Sequence, residues 1–480
     1  MPVQNAYKLQ NLYRSHLRTE CTELNFGPLR FFCGAFAVLS KSEDLLATVL
    51  ADLKSGRYRV GSKLPPLREL ARQNKVSVSV AVKVYDELRR RNIIETGGSR
   101  GTTVTAFATD PNEHPSNAWF GSVIDLNQTY PYVPELIGEL SELFSDTAQR
   151  QGYIGPGVAD PRILQSAGDR WFQMTQVPIV GRSVQVTASG QSALFSILLM
   201  LRRRLRYVYV DTFTYFGLRF ILEALDLKAL AVEGDEDGMR PDALEKALRS
   251  NKPGAIYLMP SVHSPMAYSM PAARIEDLAR VAKSHDCPII EDDPFRYLLD
   301  VPPPSFGEFY PEGTFSVSSF SKVYGAQTPL AFAAVPESAR GDIVLNARSA
   351  FCEFALPQSW IISQWIMSGR IEEHLAVTKS VCSAFQAIAA RIFPAQAVSA
   401  QKQAPFIWLK LPPQWVSSSF VGSAMRNGVH VAGGDDFWAG GERRGDYVRI
   451  SAFPTSGPKH LPRALEILGT IYSRDRLNLA

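Results

Sequence analysis

Five short stretches carry the side chains most able to do chemistry. In SVSSFSKVYGAQTPLAF (316–332) a single lysine, Lys322, stands among small hydroxyl residues at the end of an apolar, strand-like run. A desolvated amine there can hold a carbonyl compound. PIIEDDPF leaves Asp292 and Asp293 at the end of another such run, where one carboxylate can pair with a protonated ring nitrogen. Tyr215, in DTFTYFG, offers a ring to stack on a planar group, and Arg449, in YVRISAF, offers two hydrogen bonds to a carboxylate. TASGQSALFSILLML reads as strand, glycine turn and helix, so the amides around Gly190 and Gln191 present a helix N-terminus suited to phosphate. Taken singly, each has a structural reading: a solvated strand end for the carboxylates, a surface ion pair for the arginine, core for the tyrosine. Taken in this chain order, they point to one site.

The elements that must position them follow from the hydrophobic pattern. Beyond residue 125, the runs VQVTAS, YVYVD, ALAVEG, AIYLMPS, CPIIEDD, FSVSSFS and LAFAAVP alternate with helical stretches. Such strands imply a mostly parallel sheet covered on both faces by helices, with its site beyond the carboxyl ends of the strands. Several of the groups above fall at those ends.

The N-terminal part is built differently. SEDLLATVLADLKSG places Leu45, Leu46, Val49, Leu50 and Leu53 on one helical stripe that Gly56 can end. In LPPLRELARQN, Pro65 and Pro66 are expected in the first turn of a second helix. VSVSVAVKVYDELRRRN follows, with Ser77 as N-cap and Val80, Val84 and Leu88 buried. IIETGGSRGTTVTA then reads as a hairpin around Gly97, Gly98 and Gly101. The whole is a winged helix-turn-helix. Residues 41–105 hold 13 Lys and Arg against 7 Asp and Glu, whereas the chain beyond them is mildly acidic. A local basic excess is the footprint of a nucleic-acid module. Arg68, Lys83 and Arg100 lie on three elements, as a phosphate clamp requires; the plainer alternative is a small helical domain with a solvated basic face.

At 480 residues and 45% hydrophobic, the chain is long enough for two or three domains. The expected division is an N-terminal extension (1–40), the winged helix (41–105), a linker (106–124, including the Pro/Asn-rich TDPNEHPSNAW) and a larger domain (125–480) with a small subdomain from about 350. The early apolar run FFCGAFAVL is too short to span a bilayer. Five cysteines (Cys21, Cys33, Cys287, Cys352 and Cys382) are widely spaced, with neither CxxC pairing nor histidines at metal spacing. That excludes a disulfide framework and a zinc site, and fits a cytoplasmic protein with no membrane partner.

Residues 41–105 resemble the GntR-type winged helix, whose framework LPPLRELA and VSVSVAVKVYDEL match. The resemblance places Arg68 and Gly101 at DNA-contacting positions; Ser77, Lys83 and Arg100 complete the expected DNA-binding set. Val78 stands where relatives often carry arginine and Val80 where they carry a hydroxyl, so base reading is expected to lean on thymine methyls. Residues 125–480 resemble the fold-type I pyridoxal-phosphate enzymes of the aminotransferase class. This implies pyridoxal 5'-phosphate as cofactor, Lys322 as its Schiff-base lysine, Asp292 as partner of the pyridine nitrogen and Tyr215 as the stacking ring. It also implies Gly190, Gln191 and Ser319 around the phosphate, and Arg449 on a substrate carboxylate. The two parts together resemble the MocR subfamily of bacterial transcriptional regulators, which implies operator DNA, a small amino compound or vitamin B6 effector, and a head-to-tail homodimer.

Three departures from the aminotransferase pattern stand out. Pro329 occupies the position of the phosphate-binding arginine, seven residues beyond the lysine. Phe295 replaces a tyrosine that serves the cofactor's phenolic oxygen, and Pro294 fills the alternative position. Ser264, before Pro265, replaces an asparagine and keeps a hydrogen-bonding group. A lost hydrogen bond to a charged group is worth about 1.5–3 kcal/mol, roughly ten- to a hundredfold in affinity. Tyr297, Tyr324 and Arg296 are the nearby candidates to replace it. The expectation is a regulator with little or no turnover. The rivals are a regulator whose second domain binds no pyridoxal phosphate, and an active aminotransferase with an incidental basic module.

Overall fold

The seven apolar runs become the seven strands of one sheet, in the order Arg182–Thr187, Ala331–Pro336, Thr314–Ser319, Ile289–Asp292, Gly254–Leu258, Tyr207–Asp211 and Lys228–Val232. Six run parallel; Ala331–Pro336 is antiparallel to both neighbours, its Ala331 opposite Ser319 on one side and Thr187 on the other. The four strands from Gly254 to Pro336 are buried at every residue; GAIYL and AFAAVP are apolar throughout, while IIED and TFSVSS carry buried carboxylates and hydroxyls that find partners inside, Ser316 donating to Glu291 and Ser318 accepting from Trp171. Alternate side chains still part to opposite faces. Ala255 and Tyr257 join one core with the helices Gly190–Leu201 and Phe216–Ala224, while Ile256 and Leu258 join another with Ala272–Ser284.

In this computed structural model the described residues are 41–54, 57–58, 62–90, 94–96, 102–104, 123–131, 141, 145, 161–250, 253–325, 328, 330–351, 356–441 and 445–473. The expected N-terminal extension, almost all of the linker, Cys21, Cys33, Cys352, Gly56, Gly97, Gly98, Arg100, Gly101 and Pro329 lie outside them.

A second, four-stranded antiparallel sheet, in the order Val398–Ser399, Phe406–Lys410, Tyr447–Ser451 and Ala432–Gly433, forms a smaller layer. The helices Arg370–Ile392, Ser417–Arg426 and Leu461–Tyr472 contribute to its core. The strand Ile124–Asp125 pairs with Val429–His430, so the chain enters this part beside the small sheet before residues 127–131 cross to the large one.

The chain divides into two compact units between Pro115 and Ser116. In the first, helices Lys41–Lys54, Leu67–Gln73 and Val78–Arg90 pack Leu45, Val49, Leu53, Leu70, Ala81, Val84 and Leu88 into one core. The strands Ile94–Thr96 and Thr102–Val104 pair antiparallel, and Lys63 adds a bridge to Thr103. Two local expectations differ. The second helix begins at Leu67, with Pro66 extended at its N-cap (φ −54°, ψ 148°), so both prolines stand ahead of the first turn; Pro65, which precedes a proline, is itself disfavoured in the α region. Val80 is only partly buried, and Ala81 takes the core position.

Cys287 and Cys382 are buried free thiols, each pushed up to about 12 by burial. Among the described residues no cluster of His, Cys, Asp or Glu could hold a metal, and no helix is long and apolar enough to cross a membrane.

Candidate functional site

The strands of the large sheet deliver their polar groups to one edge. Asp292 ends the strand Ile289–Asp292, Ser319 ends Thr314–Ser319, and Lys322 follows in the short helix Ser321–Tyr324. Gly190 opens the helix after Arg182–Thr187, and Tyr215 precedes the helix Phe216–Ala224. All of these, with Gln191, Ser264 and Arg449, line one cavity of about 240 Å³. The structure thus brings together all eight residues expected to bind cofactor or ligand.

Lys322 is held from several sides. Its Nζ donates to Thr129 Oγ1 at 3.1 Å and lies 3.9 Å from the centre of the Tyr130 ring. The Tyr297 hydroxyl donates to the Lys322 carbonyl, fixing the backbone. Burial pushes the amine down to about 7; the Arg449 charge adds to this, and Asp292 opposes it.

Asp292 is buried and accepts a hydrogen bond from the Tyr257 hydroxyl at 2.5 Å. Burial raises its carboxyl to about 6, against the pull of that hydroxyl and of Lys322. At neutral pH it is mainly ionised.

Arg449 is 4% exposed. Nη1 donates to Ser264 Oγ at 3.0 Å and Nη2 to the Asn127 carbonyl at 2.8 Å, while Nε has no partner. The guanidinium lies 4.7 Å from the Phe437 ring centre and 5.4 Å from that of Phe406. Burial lowers it to about 10, which leaves it charged at neutral pH. Among the described residues it forms no ion pair, and an enclosed cation in that state is poised for an anion.

The helix that starts at Gly190 is closed by reciprocal bonds: Ser189 Oγ accepts the Ser192 amide at 3.1 Å, and Ser192 Oγ accepts the Ser189 amide at 2.8 Å. A Cβ on Gly190 would stand 3.1 Å from Ser319 Cβ, so a glycine lets the helix start approach the strand end. Ser319 and Ser321 share a hydrogen bond of 2.9 Å beside it. Gln191 Nε2 donates to the Tyr215 phenolic oxygen at 3.0 Å, and burial raises that phenol to about 12.

The departures have structural counterparts. Phe295 lines the cavity and packs edge-on against Phe406, so the wall there is apolar. Ser264 does hydrogen bond, to Arg449. The three substitutes are turned elsewhere. Arg296 donates to the carbonyls of Thr175, Gln176 and Pro303, Tyr297 to that of Lys322, and Tyr324 stacks on His374 at 4.3 Å. None of them lines the cavity. Thr129, Tyr130 and Tyr257, by contrast, were not signalled by any motif. The run AIYLMPS places Tyr257 in a strand, but that this strand neighbours the one carrying Asp292 is visible only in the structure.

In the N-terminal unit Arg68, Ser77 and Lys83 are exposed. Ser77 sits just before the helix Val78–Arg90, its carbonyl accepting the Val80 amide at 3.0 Å and its hydroxyl paired with that of Ser79. Arg100 and Gly101 lie outside the described residues.

Residues 41–104 match the family described as bacterial regulatory proteins, gntR family, and residues 135–433 match aminotransferase class I and II. The chain is 22% identical over 441 residues to the HTH-type transcriptional regulator YdeF of Bacillus subtilis, covering 90% of this chain and 95% of that one. It is 24% identical over 262 residues to the vitamin B6 salvage pathway transcriptional repressor PtsJ of Salmonella typhimurium, 54% of this chain and 60% of that protein. In fold it resembles the multiple substrate aminotransferase of Thermococcus profundus, with a TM-score of 0.64 at 18% identity over 76% of this chain and 95% of the enzyme. The chain therefore belongs to the class I and II aminotransferase family and carries a gntR-family domain ahead of it, the composition of the MocR subfamily of transcriptional regulators.

Proposed function

We propose that the protein binds operator DNA through residues 41–105 and senses a small amino compound, or a vitamin B6 species itself, in the cavity of residues 125–480, with pyridoxal phosphate held at Lys322. The observation that carries this reading is the meeting, in one cavity, of an amine pushed down to about 7, a buried carboxylate and a buried guanidinium whose Nε has no partner among the described residues. This donor set fits the cofactor. Pyridoxal phosphate, when bound, supplies an aldehyde that condenses reversibly with amines.

The chain's own residues then divide the work. Lys322 supplies a neutral amine, with Thr129 Oγ1 accepting a hydrogen from its nitrogen. Asp292, oriented by Tyr257, accepts from a ring N–H. Tyr215 offers its ring, and the helix start at Gly190 and Gln191 with the Ser319 hydroxyl receives the phosphate. Arg449 takes a ligand carboxylate by exchanging its bonds to Ser264 and the Asn127 carbonyl. The name of the relative PtsJ supports an effector of the B6 class.

Turnover is a separate demand, because electrostatic preorganisation usually contributes more to catalysis than any other effect. Phe295 puts an apolar wall where the aminotransferase pattern has a hydroxyl, which favours a sensor with little or no turnover. We take the working form to be a homodimer, which doubles the DNA contacts. The test is the absorption spectrum of the full chain with added pyridoxal phosphate: a visible band that disappears in Lys322→Ala is expected. If no such band forms, Phe295 favours the second reading, an effector pocket without pyridoxal phosphate. Thermal stabilisation by amino acids alone would then identify it.

A further inference from the structure

The helix Val78–Arg90 buries Ala81, Val84, Tyr85 and Leu88, each 5% exposed or less. On its outer side Val78 is 44% and Val82 37% exposed. These two valines are the exposed large apolar side chains among the described residues of the N-terminal unit. Neither contributes to its core. β-branched residues are also weaker helix formers than alanine, so neither packing nor propensity accounts for them.

Their surroundings narrow what covers them. Val78 and Val82 are one turn apart and so share a stripe, flanked by the exposed Ser79 and Lys83. Lys75, in the turn ahead of the helix, and Arg68 are also exposed. Two valines are far smaller than a stable protein interface, which covers about 800 Å² on each side. Around the first turns the exposed charges are cationic, with Asp86 one turn beyond Val82, and this favours a polyanion. In a helix-turn-helix it is the first turns of the later helix, here Val78–Arg90, that reach base edges in the major groove. Thymine is the base that presents a methyl group there.

We infer that Val78 and Val82 read thymine methyl groups in the operator. The inference rests on the DNA-binding reading above and adds the chemistry by which that site selects sequence. Four residues of helix rise about 6 Å, close to two base steps of about 3.4 Å, so the two methyls lie one or two base steps apart.

The experiment selects operator sequences from random duplexes with the full chain, then replaces each thymine singly by deoxyuridine, which removes only the methyl. Affinity is expected to fall about fourfold at each of two positions one or two base steps apart, equal to about 0.8 kcal/mol per buried methyl. Val78→Ala should abolish the thymine–uracil difference at one position and Val82→Ala at the other. Both side chains lie outside the core, so circular dichroism should be unchanged. Equal affinity for thymine and uracil at every position, or differences that survive both substitutions, would overturn the inference while leaving DNA binding intact. Failure to enrich any sequence would remove the DNA-binding reading and this inference with it.

Discussion

Lys322 and Asp292 titrate away from their ordinary ranges for the same reason, burial with incomplete pairing, and each shift has a measurable sign. An exposed lysine is roughly one part in a thousand neutral at pH 7.5, whereas an amine at about 7 is mostly neutral. Labelling of Lys322 by an amine-reactive reagent, followed by mass spectrometry, should therefore rise through pH 7 and level off above pH 8. Arg449→Met should move the midpoint upward, since the guanidinium helps hold it down. A midpoint near 10 in the native chain would contradict this account of the site. For Asp292 the folded value of about 6 lies above the ordinary 3.8, so the folded state binds its proton more tightly. The stabilising effect of protonation is complete below about 3.8 and lost as pH rises through 6. Asp292→Asn removes the charge and keeps an acceptor for Tyr257. It should stabilise the chain by up to about 3 kcal/mol at pH 7.5 and about a third of that at pH 4.5, read by chemical denaturation. An equal change at both pH values would assign the effect to packing.

At the scale of elements, the close approach of a helix start and a strand end makes the corner of the cavity proposed to receive phosphate. Gly190→Ala should force Ser319 and the helix apart, costing about 1–3 kcal/mol of stability and weakening pyridoxal phosphate binding in a titration. Gly341 has open space around it, so Gly341→Ala is the matched control. It should stabilise by about 0.4–1 kcal/mol and leave that titration unchanged. The sheet was readable in the sequence because strands buried on both faces are mostly aliphatic, with polar residues held to hydrogen-bonded positions such as Glu291 and Ser316. The same burial hid the reversed direction of Ala331–Pro336, since such a run looks alike in either orientation. Lys322, Asp292 and Arg449 were readable because a strand end or a lone charge in an apolar run is unusual. Thr129 was not, for its contact spans 193 residues and its stretch has no periodicity. Arg296 misled for a related reason: adjacency in sequence to Phe295 suggested the cavity, but its 3-10 turn carries the guanidinium to three distant carbonyls.

At the scale of the whole molecule, a sensor is defined by coupling between two kinds of ligand, and coupling free energy has no direction. If an amino compound changes operator affinity by some factor, operator DNA must change affinity for that compound by the same factor. Factors of about 5–150 are typical, well above the error of a titration. The compound is proposed to bind in the cavity of residues 125–480, and the exposed Arg68, Ser77 and Lys83 belong to the other unit, so any coupling requires that the ligand favour one of two states of the whole chain. Two titrations measure it: operator binding with and without saturating ligand, and ligand binding with and without saturating operator. Equal factors above five are expected in the native chain, and Arg449→Met, which loses the guanidinium proposed to receive the carboxylate, should bring both toward one together. A ligand that binds with both factors equal to one occupies the cavity without being read by the DNA-binding unit, however tightly it is held, and would return the C-terminal unit to the role of a scaffold.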